Sequence, residues 1–238
     1  SVFLTGRNLD SLQKVAREIT SFGARAAVDV VDALDQSSIH KHVDKVISEA
    51  GTVDISFNAI DYQVVQNLPL VDMSVDDFVR PVTIAMRTQF LTTTAAAKAM
   101  IKQRSGVILT LTATPGGIGY PYTGGFAPTC CAIESLSRNL ASELGVYGIR
   151  VVNLRSGGSP DSRLFKEAIE SNPEALAPIL RQMESDTMLK KLPDMVDIAN
   201  VAAFMSSELA GKITGVTIDV TCGTTAALNY KVDVTAKG

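Results

Sequence analysis

Tyr120 and Tyr122, Thr112 and Thr114, and Cys130 lie in one short stretch, and each of these side-chain types can take part in chemistry. A phenol can pass a proton to a carbonyl oxygen. An unassisted pKa near 10 leaves little phenolate at neutral pH, so the phenol needs a cation beside it. None of Tyr62, Tyr120, Tyr122, Tyr147 and Tyr230 has a lysine one helical turn further on. Tyr122 as proton donor, with Thr112 as hydrogen-bond partner of the carbonyl, is the arrangement this stretch offers. Cys130 would be a nucleophile only beside a base, and the histidines are His40 and His42 alone. On a helix those two point about 200° apart, which argues against a dyad or a metal site. No G-x-S-x-G, H-E-x-x-H or C-x-x-C motif is present. "TATPGGIG" (112–119) imitates a phosphate loop, but Ala113 replaces its first glycine. Pro121, Gly124 and Gly125 argue against a helix opening behind it, so it reads as a flexible loop.

The chain around these residues has 238 residues, enough for one large domain with a substantial core. Hydrophobic residues make up 46% and charged residues 20%, on the apolar side of the globular range. A net charge of −3 offers no basic face, so nucleic acid is not an expected partner. No apolar run approaches the roughly 18 residues of a membrane span, and the first residues lack the pattern of a signal peptide. The cysteines, two of them adjacent (Cys130, Cys131), do not suggest a disulfide framework. Reduced thiols in a cytoplasmic protein are the expectation.

Short apolar strands alternate with amphipathic helices. Strands are predicted at 2–5, 26–28, 53–57, 107–111, 150–154 and 216–220. Helices are predicted over about 9–22, 36–50, 74–103, 129–144 and 194–208. In the fourth, Ile133, Leu136, Leu140 and Leu144 fall at helical spacing. Ser74 and Asp77 form a capping box, and Pro81 is expected to break or kink the helix that follows. A polar segment over about 160–192 carries Pro173 and Pro178. Apolar strands separated by helices imply a parallel sheet covered on both faces, a single α/β domain of doubly wound, Rossmann-like type.

Several segments together resemble the short-chain dehydrogenase/reductase family. They are "VFLTGRN" (2–8), "VDVVD" (28–32), "GTVDISFNA" (51–59), "SGVILTLTA" (105–113), "ELGVYGIRVVNLRSGG" (143–158) and "KITGVTIDVTCG" (212–223). The resemblance spans nearly the whole chain. It implies a Rossmann-like sheet, an NAD(P)(H) cofactor and a homodimer or homotetramer built on the long helices at about 82–103 and 129–144. The segment at about 160–192 would cap the substrate, and its Leu164, Phe165, Ile169, Leu176, Ile179 and Leu180 suggest a small apolar carbonyl or alcohol. "VFLTGRN" is similar to the family's second strand. On that reading the first strand, its helix and the T-G-x-x-x-G-x-G turn lie upstream, and the sequence is an N-terminally incomplete domain. The first strand would stand between those at 2–5 and 53–57.

The resemblance also implies roles. Arg7 takes the place of an arginine that meets the 2′-phosphate of NADP(H), with NAD(H) the alternative. Asp29 and Val30 match the pair flanking the adenine. Asn58 and Ala59 match the start of N-N-A-G, and Ser156-Gly157 stands for P-G after the sixth family strand. Without the glycine-rich turn, cofactor binding by these residues alone is in doubt. Family members transfer a hydride using a tyrosine, a lysine one helical turn later, a serine and an asparagine. Here those positions hold Phe126, Cys130, Ala113 and Ala85. The expectation is an oxidoreductase by descent, inactive or strongly impaired. The alternatives are an active enzyme using Tyr122 in a longer chain, and a non-catalytic subunit that pairs with an active relative.

Overall fold

The computed structural model describes residues 1–227. Strands β1 (Val2–Gly6), β2 (Ala26–Val30), β3 (Ile55–Asn58), β4 (Gly106–Ala113), β5 (Ile149–Ser156) and β6 (Thr217–Val220) are all parallel to their neighbours. Between them run α1 (Leu9–Ser21), α2 (Gln36–Ala50), α3 (Val75–Gln103), α4 (Phe126–Leu144), α5 (Arg163–Ser171), α6 (Pro173–Asp186) and α7 (Met195–Ser206).

Strands β4 and β5 show why the body is an α/β layer structure. Their side chains alternate between the two faces. Ile108 and Val151 meet Ala96, Ala97 and Met100 of α3 and Leu140, Ala141 and Leu144 of α4. Val107, Leu109, Val152 and Leu154 face the other way, onto Ala202 and Met205 of α7. Both faces are therefore buried, as the near-continuous apolar strands require.

The sheet is divided. β3-β4-β5-β6 form one ladder and β1-β2 another, and among the described residues no ladder joins β1 to β3. The two parts are linked by packing of α2 on α3, through Val31, Ile39 and Ala95 with Val43 and Leu91 around them.

Three local expectations need comment. Pro81 does not break α3, which runs continuously from Val75 to Gln103. Its ring is buried near the helix start, and a Cβ on Gly125 would stand 2.7 Å from it, so the position is used for close packing of α4. Ser74 caps the helix, with Asp77 N–H donating to its Oγ (3.1 Å), but in place of the box's second bond the hydroxyl itself donates to Asp77 Oδ2 (2.8 Å). The polar segment proved helical, as α5 and α6, with Pro173 at the first turn of α6, where a missing N–H costs nothing. Among the described residues no helix is long and apolar enough to cross a membrane.

Candidate functional site

The candidate site lies where β4 ends and α4 begins. Ala113 closes β4, Phe126 opens α4 and Cys130 follows one turn later. The thiol of Cys130 is fully buried beside the Ala113 amide. Burial pushes that thiol up to about 11, with the amide only partly offsetting the shift. From α3, Ala85 packs with Ile133 of α4 and with Tyr62, all buried. The four positions thus present two methyl groups, a benzyl group and a protonated thiol. The methyl and benzyl groups carry no transferable proton, and the buried thiol is a weak acid that keeps its own at neutral pH.

Tyr62 fills this centre. It accepts a hydrogen bond from Gln89 Nε2 (2.7 Å), and Gln89 Oε1 accepts from Asn58 Nδ2 (3.2 Å). Gln89 is completely buried, so this chain satisfies an amide that would otherwise cost about 1–3 kcal/mol. Burial pushes the Tyr62 phenol up to about 12, against the Gln89 hydrogen bond. Such a phenol is a poor acid at neutral pH.

Beneath the site sits an ion triad. Arg155 of β5 grips Glu134 of α4 with two hydrogen bonds, Nε to Oε1 (3.0 Å) and NH2 to Oε2 (2.7 Å). Its NH1 meets both oxygens of Asp219 on β6, at 2.9 and 3.1 Å. Thr112 Oγ1 donates to Glu134 Oε1 (3.0 Å) and accepts from Asn153 Nδ2 (2.7 Å). Gly116 and Gly117 lie over this triad: a Cβ on the first would strike the Glu134 carboxylate. One on the second would come within 2.7 Å of Arg155 NH1. Gly116 and Gly117 of "TATPGGIG" are therefore required by packing over a salt bridge, whereas sequence reasoning read the stretch as a flexible loop.

The weaker catalytic pair is not brought together. Thr112 is buried and its hydroxyl belongs to the triad's network. Tyr122 is 57% exposed in the loop ahead of α4, where its backbone takes a positive φ and its carbonyl accepts from the Asn67 N–H. Among the described residues no cation hydrogen-bonds its phenol. Tyr230 lies outside the described residues.

The candidate cofactor residues scatter in character. Arg7 follows β1, is exposed and makes no side-chain hydrogen bond to a described residue, as an anion ligand would require. Asp29 is engaged within the protein: His42 Nδ1 meets its Oδ2 at 2.8 Å and Lys45 Nζ holds its Oδ1. Burial raises the Asp29 carboxyl, but these two partners outweigh it and hold it below the usual range. His42 is thus paired with a carboxylate. Val30 and Ala59 are exposed, and Asn58 is buried with its amide committed to Gln89. Ser156 donates to the Gly157 carbonyl (2.8 Å). A Cβ at Gly157 would meet Pro193 and Thr221 at 3.0–3.2 Å, so here the glycine serves packing within the protein. In the capping segment Phe165, Ile169, Leu176 and Leu180 are half-buried and Ile179 is exposed.

The comparisons agree with this layout. A family model described as enoyl-(acyl carrier protein) reductase matches residues 1–225. An uncharacterized oxidoreductase of Thermotoga maritima is 31% identical over 210 residues, 87% of this chain and 80% of that protein. Among solved structures, a "short chain dehydrogenase/reductase family protein" is 26% identical with a TM-score of 0.77, covering 95% of this chain and 87% of its own. This chain belongs to the short-chain dehydrogenase/reductase family. NAD+-bound xylitol dehydrogenase, another structure of that fold, is 25% identical with a TM-score of 0.85, over 93% of this chain and 88% of its own.

For a short-chain dehydrogenase/reductase the donor set is unusual. The residues at the reactive end do not fit a nicotinamide awaiting a proton partner, because the positions that would move the proton are apolar or buried. Sequence reasoning singled out Ala85, Ala113, Phe126 and Cys130 and did not single out Gln89, Glu134, Arg155 or the buried place of Tyr62. Tyr62 carries no local motif. Glu134 lies off the apolar face of α4, about 100° from Ile133, so helical spacing gave no sign of its burial.

Proposed function

We propose that this chain descends from NADP(H)-dependent carbonyl or alcohol oxidoreductases and is inactive or strongly impaired in hydride transfer. The observation that carries the reading is the packed centre of Ala85, Ile133, Tyr62 and Cys130, in which no group is placed to give or take a proton. Losing one positioned general acid typically costs 10²–10⁴-fold, and here its supporting groups are replaced too. Exposed Arg7 supports the choice of NADP(H) over NAD(H), since a guanidinium suits a 2′-phosphate. The test is NADPH oxidation against a panel of small apolar aldehydes and ketones. No rate above the protein-free control is expected. A rate that Tyr122→Phe abolishes would instead favour an atypical donor. The combined change Ala85→Asn, Ala113→Ser, Phe126→Tyr and Cys130→Lys is expected to raise NADPH turnover only if the cofactor frame is retained.

A second reading, a subunit that pairs with a second copy or an active relative, is favoured by one observation. Val75, Val79 and Phe90 form an exposed apolar stripe along α3, next to the outward face of α4. Light scattering of the purified chain tests it: a dimer or tetramer that Phe90→Asp converts to monomer supports assembly through these helices.

A further inference from the structure

The loop over 59–69, between β3 and the turn Leu70–Asp72, is surface chain except at one residue. Tyr62 is buried, and every other residue of the loop is exposed or half-buried. Among the described residues a single backbone hydrogen bond ties the loop to the rest of the fold, Asn67 N–H to the Tyr122 carbonyl (2.8 Å). The backbone is also strained there. Of six described non-glycine residues at positive φ, three (Gln63, Asn67 and Tyr122) lie in this loop or in the one it touches. Side chains disfavour that region, and such strain gathers at ligand clamps and switches.

The space that Tyr62 fills has the make-up of a ligand pocket. Ala85 of α3 and Ile133 of α4 are buried against its side chain, with Ile84 and Met86 of α3 beside them, and none of these belongs to the loop. One polar group converges on the ring's oxygen, Gln89 Nε2 at 2.7 Å, and this is the hydroxyl's one hydrogen bond among the described residues. Gln89 is fully buried and its own oxygen is held by Asn58 of β3. The donor is therefore fixed by the body of the protein and stays in place whatever the loop does. Apolar walls with a few placed polar groups are the usual composition of a small-molecule site.

We propose that Tyr62 is a displaceable plug in a binding site for a small phenol. The ligand's ring would take the place of the Tyr62 ring and its oxygen would accept from Gln89 Nε2. Loop 59–69 would turn outward about Gln63 and Asn67. The present occupant defines the class: its side chain is 4-methylphenol joined to a backbone. The site needs no cofactor and no proton transfer, so its test is separate from that of oxidoreductase activity.

Titration of the chain with 4-methylphenol, followed through the Tyr62 ring signal in NMR, tests it; the loss of that signal in Tyr62→Phe assigns it. A saturable shift is expected while the Tyr147 ring signal stays in place. The Tyr62 ring should become as sensitive to a soluble gadolinium chelate as exposed Tyr122. Toluene should bind about tenfold more weakly, the share of one neutral hydrogen bond, and Gln89→Met should erase that preference. Tyr62→Gly should bind 4-methylphenol about tenfold or more tightly than the parent, because no plug competes. A Tyr62 signal unmoved at the solubility limit of 4-methylphenol overturns the proposal even if Tyr62→Gly binds it, since the ring is then a permanent part of the core. A shift shared by Tyr147 would mean general loosening and would overturn it too. Toluene bound as tightly as 4-methylphenol would overturn the assignment to phenols.

Discussion

At the scale of single residues, the chemistry of this chain is decided by where protons and charges are held. Cys130 and Cys131 are neighbours in sequence with opposite environments: one is fully buried and the other exposed on α4. A thiol pushed up to about 11 is almost entirely protonated at pH 8, and the thiolate is the reactive form. Under native conditions a disulfide-exchange reagent should therefore label Cys131 quickly and Cys130 only on unfolding. Fast labelling of both would show that the centre around Ala85 and Tyr62 is open. Asp29 makes a pH prediction. Its carboxyl is held below its unfolded value, so its contribution to stability is present above the ordinary carboxylate range and is lost as pH falls through the lowered value. Asp29→Asn should flatten that acid limb of the stability profile and leave it unchanged near neutrality apart from a constant offset. An unaltered acid limb would show that His42 and Lys45 do not act on this carboxylate.

At the scale of elements, the turn Thr114–Gly116 and helix α4 are locked together through a buried charge. Glu134 cannot swing away from a new methyl group, because Arg155 holds both of its oxygens. Gly116→Ala should therefore cost about 1–3 kcal/mol, the usual range for overpacking, read as a lower urea midpoint with an unchanged slope. Glu134→Ala should also destabilise, by about 1.5–3 kcal/mol, since Arg155 loses its two charged hydrogen bonds to Glu134 and keeps only Asp219. A Gly116→Ala midpoint equal to that of the parent would mean that the turn is loose. The same elements show what the sequence made legible. All six strands and the long helices follow from apolar periodicity, because that pattern is set by which faces are buried. Helix α3 outran its proline signal, because Pro81 sits near the helix start and its ring is used in the contact with Gly125. Helices α5 and α6 were hidden because the segment was read from its prolines and polar composition, although α5 is clearly amphipathic and Pro173 opens α6 at its first turn. At the site the sequence offered the neighbourhood where β4 ends and α4 begins, with Ala113, Phe126 and Cys130 in it. The side chains that fill it were not legible, since Tyr62 reaches the centre from a loop and meets Gln89 only through the tertiary fold.

At the scale of the whole molecule, stability is unevenly distributed. No residue from Ser1 to Val30 is buried, whereas β4, β5 and α4 supply most of the two principal clusters. The segment β1–α1–β2 is tied to the rest through α2, by Val31 and Ile39 against Ala95 and Leu91 of α3. Few buried contacts and half-paired strands mark the part of a protein that opens first. Residues 1–238 should therefore unfold in two stages in urea, with amides of β1 and β2 exchanging through a smaller opening than those of β4 and β5. Ile39→Ala removes a buried anchor between the parts. It should destabilise the first stage by about 2–5 kcal/mol, the range for emptying an aliphatic core position, and leave the exchange of β4 and β5 nearly as before. A change that instead weakens both sets of amides equally, with one shared midpoint, would show that the divided sheet behaves as a single cooperative unit. In that case the packing of α2 on α3 transmits the full stability of the body to strands it does not hydrogen-bond.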